Sequence, residues 1–157
     1  LASNIAQALQ RSGLAAHRLE IEITETALVA DDEIALEALK EVRALGVKIS
    51  LDDFGTGYSS LSYLHRFPID RIKIDKSFVN QLPLDAGSVS IVRAIAQLGK
   101  SLEMQVTAEG IETEEQYSFI AEHGCGHMQG YLFNRPVDAA TVAALFGSET
   151  IPKSAAA

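Results

Sequence analysis

Ile49-Ser50-Leu51-Asp52-Asp53-Phe54-Gly55-Thr56-Gly57-Tyr58-Ser59-Ser60-Leu61 is the stretch on which the reading of this chain turns. Val47, Ile49 and Leu51 alternate with Lys48, Ser50 and Asp52, the period of a strand with one apolar and one polar face. That strand delivers two adjacent carboxylates to its C-terminal end. Gly55 and Gly57 follow, so the loop can bring backbone close to a ligand. A serine of the Ser59-Ser60 pair is placed to cap a short helix. Paired acids at a strand exit suit a divalent cation held by oxygen ligands. Alone, Asp-Asp-x-Gly also fits a turn in which Asp and Gly serve backbone geometry. The repetition of the arrangement on other strands favours a site.

Outward from this stretch the pattern repeats. Leu19 to Glu25 sets Leu19, Ile21 and Ile23 against Glu20, Glu22 and Thr24. Arg71 to Asp75 sets Ile72 and Ile74 against Arg71, Lys73 and Asp75, and Met104 to Glu109 sets Val106 and Ala108 against Gln105, Thr107 and Glu109. Short strands are expected within Gly124–Gln129 and at Tyr131–Phe133. Helical periodicity marks residues 3–12 up to Gly13, the segment from Asp31 to Leu45, Leu61–Phe67, Val89–Leu98, Glu114–His123 behind a Thr113 cap, and a last helix through Phe146. Residues 83–87, with Pro83 and Gly87, read as a loose connection. The tail 148–157 has no periodicity and is expected to be disordered, which leaves 1–147 as the domain.

Strand–helix alternation implies an α/β fold with parallel strands. In an open sheet covered on both faces the strands would be near-continuously apolar. Four strands here keep a polar side, which predicts a TIM-like barrel with helices outside and polar side chains inside. Glu22, Asp52, Asp53, Lys73 and Glu109 would converge at the C-terminal mouth, where such barrels carry their chemistry. Five or six strand–helix units are visible, fewer than the eight of a full barrel. The chain begins with Leu1 inside a helical pattern, and the expectation is a piece of something larger.

Composition sets limits. The 157 residues suffice for one core, and no apolar run is long enough for a membrane span. Lys+Arg 13 against Asp+Glu 21 gives a net charge of -8, which argues against a duplex nucleic-acid binder. A small phosphate ligand held through metal ions remains compatible with that charge. The single Cys125 precludes an internal disulfide and is read as a buried filler. His17, His65, His123 and His127 lack ligand spacing and are read as surface or helix-end residues. Glu20, Arg71 and Asp75 are read as polar partners in the barrel interior.

Glu22-Ile23-Thr24-Glu25, Asp52-Asp53-Phe54-Gly55-Thr56-Gly57, Lys73-Ile74-Asp75, Ala108-Glu109-Gly110-Ile111-Glu112-Thr113 and Gln129-Gly130-Tyr131 resemble, in this order, the motif series of EAL domains. The resemblance spans about residues 1–146. It implies a modified eight-stranded barrel, of which this chain has the C-terminal five to six units. It also implies a bacterial phosphodiesterase that linearises cyclic di-GMP to pGpG, with Mg²⁺ or Mn²⁺, two per site. The motif that names the family, and an Asn-bearing strand after it, would precede Leu1. By motif position Glu22 and Asp52 would ligate the first metal, and Asp53 the second metal or the attacking water. Lys73 would hold that water or a phosphate oxygen, and Glu109 would be the general base. Glu112 and Gln129 would support the site. Glu25 would pin the loop that starts at Phe54, Gly55, Thr56 and Gly57 and couples the site to a homodimer. The resemblance further implies cytoplasmic location and fusion to sensor or GGDEF domains.

The chemistry is coherent without the family. In-line attack on a phosphodiester needs an activated water and neutralised oxygens, which two metals about 3.5–4 Å apart provide. Two rival readings stand beside the enzyme: a catalytically inactive EAL domain that acts as a cyclic di-GMP receptor or relay, and a different metal phosphodiesterase on the same barrel. Open sheet edges would also predict poor solubility or strand-exchanged association.

Overall fold

A computed structural model describes residues 1–25, 27, 32–55 and 61–147. Helix α1 (Ala2–Ser12) ends at Gly13, whose φ of 68° lets its amide cap the Leu9 carbonyl. A 3₁₀ turn (Ala16–Arg18) leads into β1 (Glu20–Thr24), followed by α2 (Asp32–Ala44) and β2 (Lys48–Phe54). Next come α3 (Leu61–Arg66), β3 (Arg71–Ile74), α4 (Lys76–Val79) and α5 (Ala86–Ser101). The chain closes with β4 (Gln105–Glu109), α6 (Glu114–Glu122), β5 (His127–Gln129) and α7 (Ala139–Gly147).

All strands are parallel and lie in sequence order, β1-β2-β3-β4-β5. Alternation then sorts the side chains. Ile49 and Leu51 of β2, Ile72 and Ile74 of β3, and Val106 and Ala108 of β4 are buried toward the helices. They pack there with Leu39 and Val42 of α2, Leu64 of α3, Val79 of α4, Val92 and Ile95 of α5, and Ile120 of α6. Each such side chain contributes roughly 1.5–3 kcal/mol by leaving water. The other face carries Glu20, Glu22, Ser50, Asp52, Arg71, Lys73, Gln105, Thr107 and Glu109. Ser50, Lys73 and Thr107 on that face are themselves buried, whereas Glu22 and Gln105 at its margins are exposed.

Several expectations need correction. Residues 131–133 form turns, not a strand, because the Leu132 amide is bound to the Ile111 carbonyl and that of Phe133 to the Gly130 carbonyl. The loose connection is shorter than expected, because Asp85 caps α5 by accepting from the Ser88 amide and residues 86–87 are already helical; α4, which Asp75 caps by accepting from the Ser77 amide, is an addition to the expected elements. Asp75 is therefore also a helix cap at the strand exit. The helix cap at Ser59-Ser60, the acid-rich start at Asp31 and the tail 148–157 lie outside the described residues.

Candidate active site

The strand ends meet on Lys73. Its ammonium lies 2.8 Å from Glu22 Oε1, 3.1 Å from Asp52 Oδ1 and 2.6 Å from Glu109 Oε1. The parallel register explains the convergence: Glu22 pairs with Ser50, Ser50 with Arg71, and Lys73 with Thr107, so the acids of β1, β2 and β4 flank one position of β3. The Lys73 side chain is only 8% exposed, whereas that of Glu22 is 53% exposed. Burial alone would favour a neutral amine. Hydrogen bonds to Glu109, Glu22 and Asp52 outweigh it and hold the ammonium charged well above the usual lysine range. Glu22 is thus neither buried nor unpaired.

Asp52 and Asp53 reach the site through a β-bulge. From Leu51 to Phe54, β2 takes one more residue than β3 does from Ile72 to Ile74. Asp53 absorbs the kink with φ 56°, a left-handed conformation uncommon outside glycine. Its carboxyl is pushed up by desolvation at the strand exit and by the charges of Asp52 and Asp75, against Lys73. Asp75 moves the other way: burial opposes its charge, but bonds from the Ser77 hydroxyl and amide prevail. Gly55 (φ 98°) follows, its Cα packed so near Phe78 that a Cβ would lie 3.1 Å from the ring. Phe54 is buried. Thr56 and Gly57 lie outside the described residues, and with them the loop that Glu25 is expected to pin. Glu25 itself is buried just after β1.

At the β4 exit, Glu109 stands beside Gln129 in register. Gly110 turns the chain with φ 74°, and the Ile111 amide donates to the Gln129 carbonyl at 3.0 Å. Gly130 completes the junction, because a Cβ there would lie 2.0 Å from the Ile111 carbonyl oxygen. Glu112 does not join the Lys73 cluster in any contact found. Its amide donates to Gln116 Oε1 at 2.7 Å, within the Thr113–Gln116 capping box of α6.

One layer nearer the strand starts, Arg71 repeats the theme with Glu20 at 3.4 Å, Gln105 at 2.5 Å and Thr107 at 3.3 Å. Glu20 and Arg71 are the interior partners expected. The sequence reading missed the bulge; the one-residue surplus of Asp52-Asp53 before glycine is its only signal.

The donors around Lys73 are all carboxylate oxygens, the set that suits Mg²⁺ or Mn²⁺. Among the described residues Asp52 Oδ1 is buried and paired with the Lys73 ammonium alone, an acceptor with capacity for a cation. Among the described residues no three His, Cys, Asp or Glu side chains form a complete metal cage. Glu22 and Asp52, joined here through the Lys73 ammonium, offer oxygen donors for part of a coordination shell, which further ligands would have to complete.

Comparisons with known proteins bear on the family and the fold. The family model described as EAL domain matches residues 1–136. The cyclic di-GMP phosphodiesterase NbdA of Pseudomonas aeruginosa is 44% identical over 142 residues, 90% of this chain and 18% of NbdA. The solved phosphodiesterase MucR of the same organism, in complex with c-di-GMP, superposes with TM-score 0.87 at 43% identity, covering 90% of this chain and 57% of that one. Klebsiella pneumoniae BlrP1 in a manganese/cyclic di-GMP complex gives TM-score 0.80 at 35% identity, covering 85% of this chain and 34% of that one. The chain spans about a fifth of the length of the curated relatives it matches. The five-stranded arc with its polar face and outer helices is part of a TIM-like α/β barrel, and the chain belongs to the EAL domain family.

Proposed function

We propose that this chain forms the C-terminal part of a divalent-metal-dependent phosphodiesterase domain that hydrolyses cyclic di-GMP to linear pGpG in bacterial second-messenger signalling. The observation that carries it is Lys73 ringed at 2.6–3.1 Å by Glu109, Glu22 and Asp52 at the C-terminal ends of parallel strands. The names of NbdA and MucR support the reaction class and substrate. BlrP1, solved with manganese or calcium beside the nucleotide, supports a divalent ion.

In this reading Glu22 and Asp52 would hold one ion and Asp53 would serve a second. Mg²⁺ or Mn²⁺ bound there would neutralise phosphate oxygens and acidify water. The remaining roles belong to the chain. Glu109 accepts the proton of the attacking water. Lys73, fixed by its carboxylates, points ammonium protons at that water or at a phosphoryl oxygen. Gln129 and Glu112 support the rim, and Glu25 ties the strand end to the loop beginning at Phe54, Gly55, Thr56 and Gly57. Residues 1–147 make up the domain portion, which works in the cytoplasm as a homodimer fused to sensor or GGDEF domains. Among the described residues no helix is long and apolar enough to cross a membrane.

A second reading, a non-hydrolysing cyclic di-GMP receptor, draws support from the incomplete metal cage among the described residues. Turnover of cyclic di-GMP with Mn²⁺ or Mg²⁺, an EDTA control and Glu109→Gln separates the two. Metal-dependent turnover that falls about 100-fold or more in the variant is expected for a lost general base. Nucleotide binding without turnover would establish the receptor instead.

A further inference from the structure

At the opposite end of β4 and β5 from Lys73 lies an open groove of about 680 Å³, a volume typical of small-molecule sites. Arg93, Gln97 and Lys100 of α5 line one wall, and Gln105 and His127 form the floor at the starts of β4 and β5. Glu122, His123, Gly124 and Gly126 complete it. Within a chain of net charge -8, these walls carry Arg93, Lys100 and two histidines against the single carboxylate of Glu122.

Arg93 is held ready. Its Nε donates to His123 Nε2 at 2.8 Å, and its guanidinium lies 5.8 Å from the Phe119 ring centroid. His123 is fixed in turn by stacking on Phe119 at 4.1 Å and by Nδ1 at 2.6 Å from the Phe119 carbonyl oxygen. Because Nε2 accepts from arginine, Nδ1 carries the proton and donates to that carbonyl. Among the described residues neither Arg93 nor Lys100 has a carboxylate partner, in contrast to Lys48, Arg43 and Arg71. An arginine locked on two sides, with its terminal nitrogens unclaimed, is the residue type that recognises phosphate oxygens in a fork. Lys100 follows seven residues later on the same helix, about 10 Å along its axis. No backbone or side chain lies within 4 Å of a Cβ built on Gly126, so that rim is open.

We propose that this groove binds a small molecule bearing two or more phosphate groups, with Arg93 and Lys100 each engaging one. The site is separate from the Lys73 centre and stands on the same strands: β4 starts in the groove at Gln105 and ends at Glu109, about 13 Å away.

Imidazole NMR tests this directly, since the four histidines comprise two in the groove and two, His17 and His65, outside it. Tripolyphosphate is titrated into protein freed of metal over a chelating resin, with orthophosphate at matched ionic strength as comparator. The expected result is saturable shifts of His123 and His127 alone, with orthophosphate about tenfold weaker or more. Arg93→Gln should abolish the shifts, and Lys100→Gln, at an exposed position that leaves the fold intact, should weaken binding about tenfold. Equal movement of all four histidines, no movement, or shifts that saturate with unchanged affinity in Lys100→Gln would overturn the proposal.

Discussion

Lys73 shows how one residue can stand in for an ion. Three carboxylates would repel one another at the strand ends, and the buried ammonium holds them together. Replacing it by methionine leaves that charge uncompensated. Because Glu22 is half exposed and water screens part of the loss, we expect Lys73→Met to cost about 2–3 kcal/mol in metal-free denaturation. Mn²⁺ should restore stability to the variant by more than it stabilises the parent chain; equal metal effects on both would refute the role. Asp53 predicts a pH dependence of opposite character. A carboxyl whose folded-state pKa is raised favours the folded state while protonated, and that advantage is lost as pH rises through the shifted value. Asn tolerates left-handed backbone and carries no charge. Asp53→Asn should therefore have the higher Tm at pH 7, and the difference should shrink as pH falls through the carboxylate range. A gap that widens in acid would contradict this.

Among the elements, the most exacting junction is the one between the exits of β4 and β5. The backbone of Gly130 sits against Ile111 with no room for a Cβ, and the obstruction is main chain that cannot rotate away. Gly130→Ala should cost at least about 2 kcal/mol and displace Gln129 relative to Glu109, whereas Gly126→Ala, with nothing near, should be close to neutral. Urea denaturation of the pair checks it. This junction also marks where the sequence stopped being legible. Strands β1 to β4 announced themselves because their apolar and polar residues alternate for four residues or more, and the longer helices by their spacing, whereas the 4-residue α4 is too short to show a period. Tyr131–Phe133 has a strand's composition, but its amides are taken by Ile111 and Gly130. The bulge was equally hidden, since two adjacent aspartates on an ordinary strand would point to opposite faces. Only the register shift brings both to one exit. The convergence on Lys73, in contrast, followed from parity alone: residues two apart share a face. Cys125, read as a filler, is indeed buried, and burial pushes its thiol up to about 11.

For the whole molecule, what matters is that the arc has ends. Among the described residues β1 pairs only with β2, and β5 only with β4, so each leaves one edge of backbone donors and acceptors without a strand. Such edges recruit further strands. This chain on its own should associate as concentration rises, read by light scattering on gel filtration, and a fixed monomer at all concentrations would speak against it.

Because neighbours in the sheet are also neighbours in the chain, every strand–helix unit is tied to the unit before and the unit after it. Such a molecule resembles a row of books more than a knot. One volume can be lifted from the end of the shelf and the rest still lean on one another. Removal of the terminal unit alone should therefore leave the Lys73 strand paired with its two flanking strands.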